Sequence, residues 1–150
     1  MLKALISLAL LALFVHMVIL PDSTLARGEE KPGPNGGEIR MPGAFHTELK
    51  VSGRQIWVYL LDLKFEKART DKSSVVVEVV SPTPGAAPVK LDCKPAKVSE
   101  PPKFVCMHAN YEPSKGQTLK VRANRGTAMG QEVSYVLPLL SGESAPKSVH

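Results

Sequence analysis

Residues 36–62 read GGEIRMPGAFHTELKVSGRQIWVYLLD, and the spacing of apolar residues within them decides the fold class. Side chains along a strand alternate between its two faces. Here Phe45, Thr47, Leu49 and Val51 share one face, while His46, Glu48 and Lys50 share the other. That is the period of a strand with one face turned inward. Ser52-Gly53 supplies a turn, after which Ile56, Val58 and Leu60 oppose Trp57, Tyr59 and Leu61, so both faces of the second run are apolar. A one-sided strand turning into a two-sided one predicts a hairpin whose second strand is central in a packed sheet. Gly36-Gly37 admits the chain to a short first strand near Glu38–Met41, and Pro42-Gly43 turns it into the hairpin.

Downstream the same period returns. Val75, Val77 and Val79 share a face, Val89, Leu91 and Cys93 alternate with Lys90, Asp92 and Lys94, and Phe104, Cys106 and His108 share a face. Leu119, Val121 and Ala123 follow, then Val133, Tyr135 and Leu137. The connections are turn-rich, and SPTPGAAP (Ser81 to Pro88) is excluded from a central strand because its prolines lack N–H donors. Lys64 to Lys72 alone has some helical character, but it is too short to hold a helix unaided, and a polar crossing loop reads equally well. The prediction is an all-β fold: an antiparallel β-sandwich, immunoglobulin-like, of seven to eight strands.

Upstream, Lys3 precedes an apolar run from Ala4 to Leu20, broken by Pro21-Asp22 and followed by Thr24-Leu25-Ala26. This is the pattern of a secretory signal peptide over residues 1–26, with a retained anchor as the alternative. The expected organisation is then a flexible lead-in at 27–35, the β-sandwich domain at 36–138 and a flexible tail at 139–150. Export implies a periplasmic or secreted protein with no stable membrane insertion after cleavage. The net charge of +5 is spread among apolar residues and turns, as on a solvated sheet face, which argues against a nucleic-acid partner.

Cys93 and Cys106 make an even count in an oxidising compartment, so a disulfide between neighbouring strands is expected, with a pair of free thiols at a metal site as the competitor.

GPNGG, then G-A-F-H-T-E-L and W-V-Y-L-L-D, resembles a class of poorly characterised bacterial periplasmic β-sandwich proteins with an H-G-G…Y-H-x-E-L-like motif. That class is similar to the N-terminal module of some heavy-metal efflux adaptor proteins. Gly36, Gly37, His46, Glu48, Leu49, Val58, Tyr59, Leu60 and Asp62 match the pattern, whereas Asn35 stands where those proteins commonly have histidine. The resemblance implies a β-sandwich and an association with copper, silver or zinc handling, with an efflux component or another envelope protein as partner.

The residues themselves offer several ligands. His46 and Glu48 point the same way and can ligate zinc or copper, or else stand solvated on an exposed face. Cys106 and His108 form a C-x-H pair, which a disulfide would disable. Met41 and Met129 offer thioethers to a soft ion, or fill gaps. Trp57 and Tyr59 form a candidate interaction face. No nucleophile with a poised base and no pair of carboxylates in a recognisable context is present, so an enzyme is not expected. Two readings stand: an exported accessory of soft-metal handling, with copper or zinc as the cofactor, and a structural or protein-interaction module without metal.

Overall fold

The computed structural model describes residues 31–140; the expected signal peptide lies outside the described residues, as do residues 27–30 of the lead-in and the tail beyond Leu140. Nine strands follow in order: β1 Glu38–Arg40, β2 His46–Ser52, β3 Gln55–Leu61, β4 Ser74–Val80, β5 Val89–Pro95, β6 Phe104–Met107, β7 Thr118–Arg125, β8 Ala128–Met129 and β9 Val133–Val136. Every pairing is antiparallel, in the order β1-β2-β3-β6-β5-β4-β7-β8, with β9 also on β7. No helix forms among the described residues, so the all-β antiparallel expectation holds. Nine strands exceed the expected seven to eight because the short β8 forms after the Gly126 turn, ahead of β9.

The anticipated hairpin is in place. Seven residue pairs join β2 to β3, from His46 opposite Leu61 to Ser52 opposite Gln55. Gly53 turns between them at a φ of 57°, a left-handed conformation glycine adopts without steric cost. Strands β4, β5 and β6 form a meander to which β7 returns beside β4, a Greek-key path.

Two sheets result, and β5 belongs to both. Its first residues, Val89–Leu91, pair with β4, and its last, Asp92–Pro95, pair with β6. At the opposite side β1 faces β9 through side chains, so the sheet comes close to a closed barrel. There Arg40 Nε donates to the Ser134 carbonyl at 3.2 Å, the Leu140 amide donates to Glu38 Oε2 at 2.8 Å, and Arg40 pairs with Glu38.

The core fills the space between the sheets. Phe45, Leu49, Ile56, Val58, Leu60 and Phe104 meet Val75, Val77, Leu91, Leu119, Val121 and Tyr135. Each such side chain contributes about 1.5–3 kcal/mol by leaving water. Within this core the Tyr135 hydroxyl lies 2.6 Å from Thr47 Oγ1 and donates to the Thr47 carbonyl at 3.0 Å. Burial therefore raises the Tyr135 phenol above its ordinary value while the Thr47 contact opposes the shift. The disulfide Cys93–Cys106 links directly paired residues of β5 and β6, with Cys106 fully buried against the core.

The segment from Lys64 to Lys72 is irregular, without helix. Asp62 organises its first turn: its carbonyl accepts from the Phe65 amide at 3.1 Å and its Oδ1 from the Glu66 amide at 2.9 Å. Phe65 takes a φ of 61° at this turn, unusual for a bulky residue, and its ring covers His46.

Candidate functional site

The outer face of β2 differs from expectation. An alternating strand should leave His46 and Glu48 in water, yet His46 is 5% exposed and Glu48 is 0% exposed. The cover comes from other parts of the chain. The turn at Gly33–Gly37, closed by Gly33 N to Gly37 O at 2.8 Å, lies over Glu48. Glu48 Oε1 accepts from the amides of Asn35 and Gly37, and Oε2 from Asn35 Nδ2, each at 2.8 Å. Gly33 and Gly37 must lack side chains here, because a Cβ on either would collide with the Glu48 side chain. Asn35, read from sequence as the end of a lead-in, is therefore part of the fold. The GPNGG motif acts as a cradle for a buried carboxylate.

His46 is held as firmly. Its ring stacks on Phe65 with centroids 4.1 Å apart, and Nδ1 lies 3.3 Å from the Asp62 carbonyl. A carbonyl only accepts, so this contact places the proton on Nδ1 and leaves Nε2 as the ring's acceptor. The motif residues His46, Glu48 and Asp62 thus each organise a covering loop. Asp62 is held below the ordinary carboxylate range, first by the Glu66 N–H, with the Lys67 and Lys64 amides and the Arg125 charge adding to it against a smaller burial effect.

The remaining candidates are dispersed. Cys93 and Cys106 are consumed by the disulfide. His108 does not share the Cys106 face: it lies beyond the end of β6, exposed, with Nδ1 accepting from the Asn110 amide at 3.2 Å. Among the described residues no three His, Cys, Asp or Glu side chains gather in a metal-holding group. Met41 and Met129 are 56% and 81% exposed, so neither fills a gap in the core. They flank two loops in contact, where the Gln131 amide donates to the Pro42 carbonyl at 2.8 Å and a Cβ on Gly43 would come within 3.0 Å of the Met129 carbonyl.

The expected interaction face divides in two. Tyr59 is buried beside Glu48, its partner across β2, and burial followed by the Glu48 charge raises its phenol. Trp57 stays half-exposed. Its Nε1 donates to Gln55 Oε1 at 2.9 Å, and Lys103 Nζ sits 3.4 Å from the ring centroid. Register places Lys50, Trp57, Val105 and Lys94 in one row across four strands. An aromatic surface flanked by three lysines, with Asp92 paired to Lys94 at 2.7 Å, results. Alternation alone could not find it, since Trp57 and Tyr59 share a face and only the cover distinguishes them.

At the opposite end from His46, where β5 passes from one sheet to the other, a cleft of about 440 Å³ opens between the start of β5 and the turn after β6. No family model, no curated protein and no solved structure matches this chain. Among the described residues no helix is long and apolar enough to cross a membrane.

Proposed function

We propose that this is an exported binding module of the cell envelope, without catalytic activity, that docks an acidic protein surface through the face centred on Trp57. The observation that carries this reading is the half-exposed indole under Lys103, in a row with Lys50 and Lys94. Indole and cation together suit a partner that offers carboxylates around an apolar contact, since tryptophan concentrates binding energy at protein interfaces and the lysines complement negative charge at its rim. The disulfide and the signal-like leader support export. The polar motif residues that suggested a metal centre are engaged in holding loops, which favours the interaction reading over a site at His46 and Glu48.

Photocrosslinking in the exporting cell tests this. A crosslinking residue at position 57 should give a discrete adduct that weakens when Lys103 and Lys94 are changed to alanine. The same residue at exposed position 76, on the other sheet, should give none. Equal labelling from both positions would refute the face.

A second reading keeps one supporting observation. The loops bearing Met41 and Met129 touch, and both thioethers face solvent at the end of the barrel where His46 lies. A soft ion such as Cu(I) suits two thioethers and an imidazole nitrogen. Titration of the protein with Cu(I) distinguishes this reading: micromolar or tighter binding that Met41→Leu and Met129→Leu abolish would establish it, and its absence would remove it.

A further inference from the structure

Strand β5 changes partners midway, and this leaves part of its edge uncovered. Val89–Leu91 pair with β4 on one side, whereas pairing with β6 on the other begins only at Asp92 opposite Met107. Beyond Met107 the chain leaves the ladder: the Tyr111 amide turns back to the His108 carbonyl at 3.1 Å. Arg54 keeps that turn away from β5, with Nη2 on the Ala109 carbonyl at 2.7 Å and Nε on the Tyr111 carbonyl at 3.3 Å. No backbone bond among the described residues closes the far side of Val89–Leu91. The cleft occupies this gap. Val79, Ala87, Val89 and Ala109 line it together with Tyr111, and its roughly 440 Å³ suits a bound segment of a few residues.

Tyr111 forms part of the wall of this gap and packs into the core behind it. Its hydroxyl is the buried side-chain polar atom among the described residues that lacks a hydrogen-bond partner. A buried hydroxyl without a partner is costly, and such groups call for a specific explanation. Burial also pushes its phenol up to about 12, so it remains a donor at neutral pH.

We propose that this gap is a docking slot for an extended peptide segment of a partner protein, which adds as a short strand along Val89–Leu91. The alternate N–H and C=O groups of β5 that point away from β4 would pair with the peptide main chain. Small apolar side chains of the peptide fit among Val79, Ala87 and Val89. Arg54 and Glu112 lie 3.6 Å apart at the rim and offset one another, so the main chain dominates recognition over charge. The slot is distinct from the Trp57 face. Elsewhere β1 and β9 face each other and β8 has two residues, while Ser74–Val76 of β4 and Asp92–Pro95 of β5 are also paired on one side only; the cleft beside Val89–Leu91 is what selects this edge.

The test selects linear heptapeptides from a random displayed library on the full-chain protein and follows a selected, synthesised peptide by NMR and calorimetry. Amide shifts and slowed exchange should concentrate at Val89–Leu91 and Ala109–Tyr111. Ala87→Trp, at an exposed loop position, should fill the slot and weaken binding by about tenfold or more. Trp57→Ala should leave affinity unchanged, which separates this site from the proposed face. The proposal is overturned if no peptide is selected, if the shifts lie elsewhere, or if Ala87→Trp binds as well as the parent. It is also overturned if a synthetic copy of residues 141–150 displaces the selected peptide, since the slot would then belong to the chain's own tail.

Discussion

Replacing Glu48 measures what the GPNGG turn contributes. The carboxylate accepts three hydrogen bonds at 2.8 Å, from the Asn35 amide, the Asn35 side chain and the Gly37 amide. Bonds to a charged group are worth about 1.5–3 kcal/mol each, which gives a gross loss of some 4–9 kcal/mol in Glu48→Ala. Two effects reduce it. Glu48 has no ion-pair partner among the described residues, so its removal recovers a desolvation cost of several kcal/mol. Asn35 is also half-buried, so water reaches part of the freed turn. The net expectation for Glu48→Ala is a loss of about 2–3 kcal/mol. Glu48→Gln should behave differently. Its amide oxygen can take the Oε1 position and keep both backbone bonds, and Asn35 can flip its own amide to accept from the new NH₂ group. The cost of Glu48→Gln should stay within about 1 kcal/mol. Urea unfolding measures both variants, and hydrogen exchange at the Gly37 amide reports the turn itself, which should open in the alanine variant and remain protected in the glutamine variant. If glutamine costs as much as alanine, the negative charge rather than acceptor geometry holds the turn, and the cradle as described is wrong.

Other consequences are as direct. Tyr135→Phe deletes a buried hydroxyl bonded to Thr47 and should cost about 1–2 kcal/mol in urea unfolding, while Thr47→Val in the same background should add less than it costs alone, because their side-chain bond is already gone and only the long Thr47 bond to the Arg40 carbonyl remains to lose. Cys93→Ala with Cys106→Ala opens a loop of thirteen residues' separation and should cost on the order of 3 kcal/mol, and intact mass after thiol alkylation should find no free thiol in the parent. Asp62 titrates below the ordinary aspartate value, so its support of the 62–67 turn is fully present above that value and is lost as pH falls through the lowered one. The Glu66 amide shift and the His46–Phe65 ring contacts should therefore change together only in acid, and Asp62→Asn should remove that transition.

What the sequence determined by itself is the eight longer strands and the apolar alternation along them, but not the two-residue β8. Period-two spacing decides which side chains point together, and burial follows for Val75, Val77 and Val79, for Leu119, Val121 and Ala123, and for Ile56, Val58 and Leu60. The pairing of Cys93 with Cys106 was legible too, because two cysteines in alternating runs on either side of a Pro-rich turn fall opposite one another when the strands pair. Tertiary structure decided what becomes of the outward faces. Alternation states that His46, Glu48, Trp57 and Tyr59 point outward from the first sheet; it does not state what lies above them. The Gly33–Gly37 turn and the Phe65 loop cover His46 and Glu48, Tyr59 is buried beside Glu48, and Trp57 alone stays only partly buried. The approach of the Met41 and Met129 loops and the gap beside β5 are likewise products of chain path. Local spacing encodes direction relative to one strand, whereas cover, convergence and clefts depend on where distant loops are carried by the sheet.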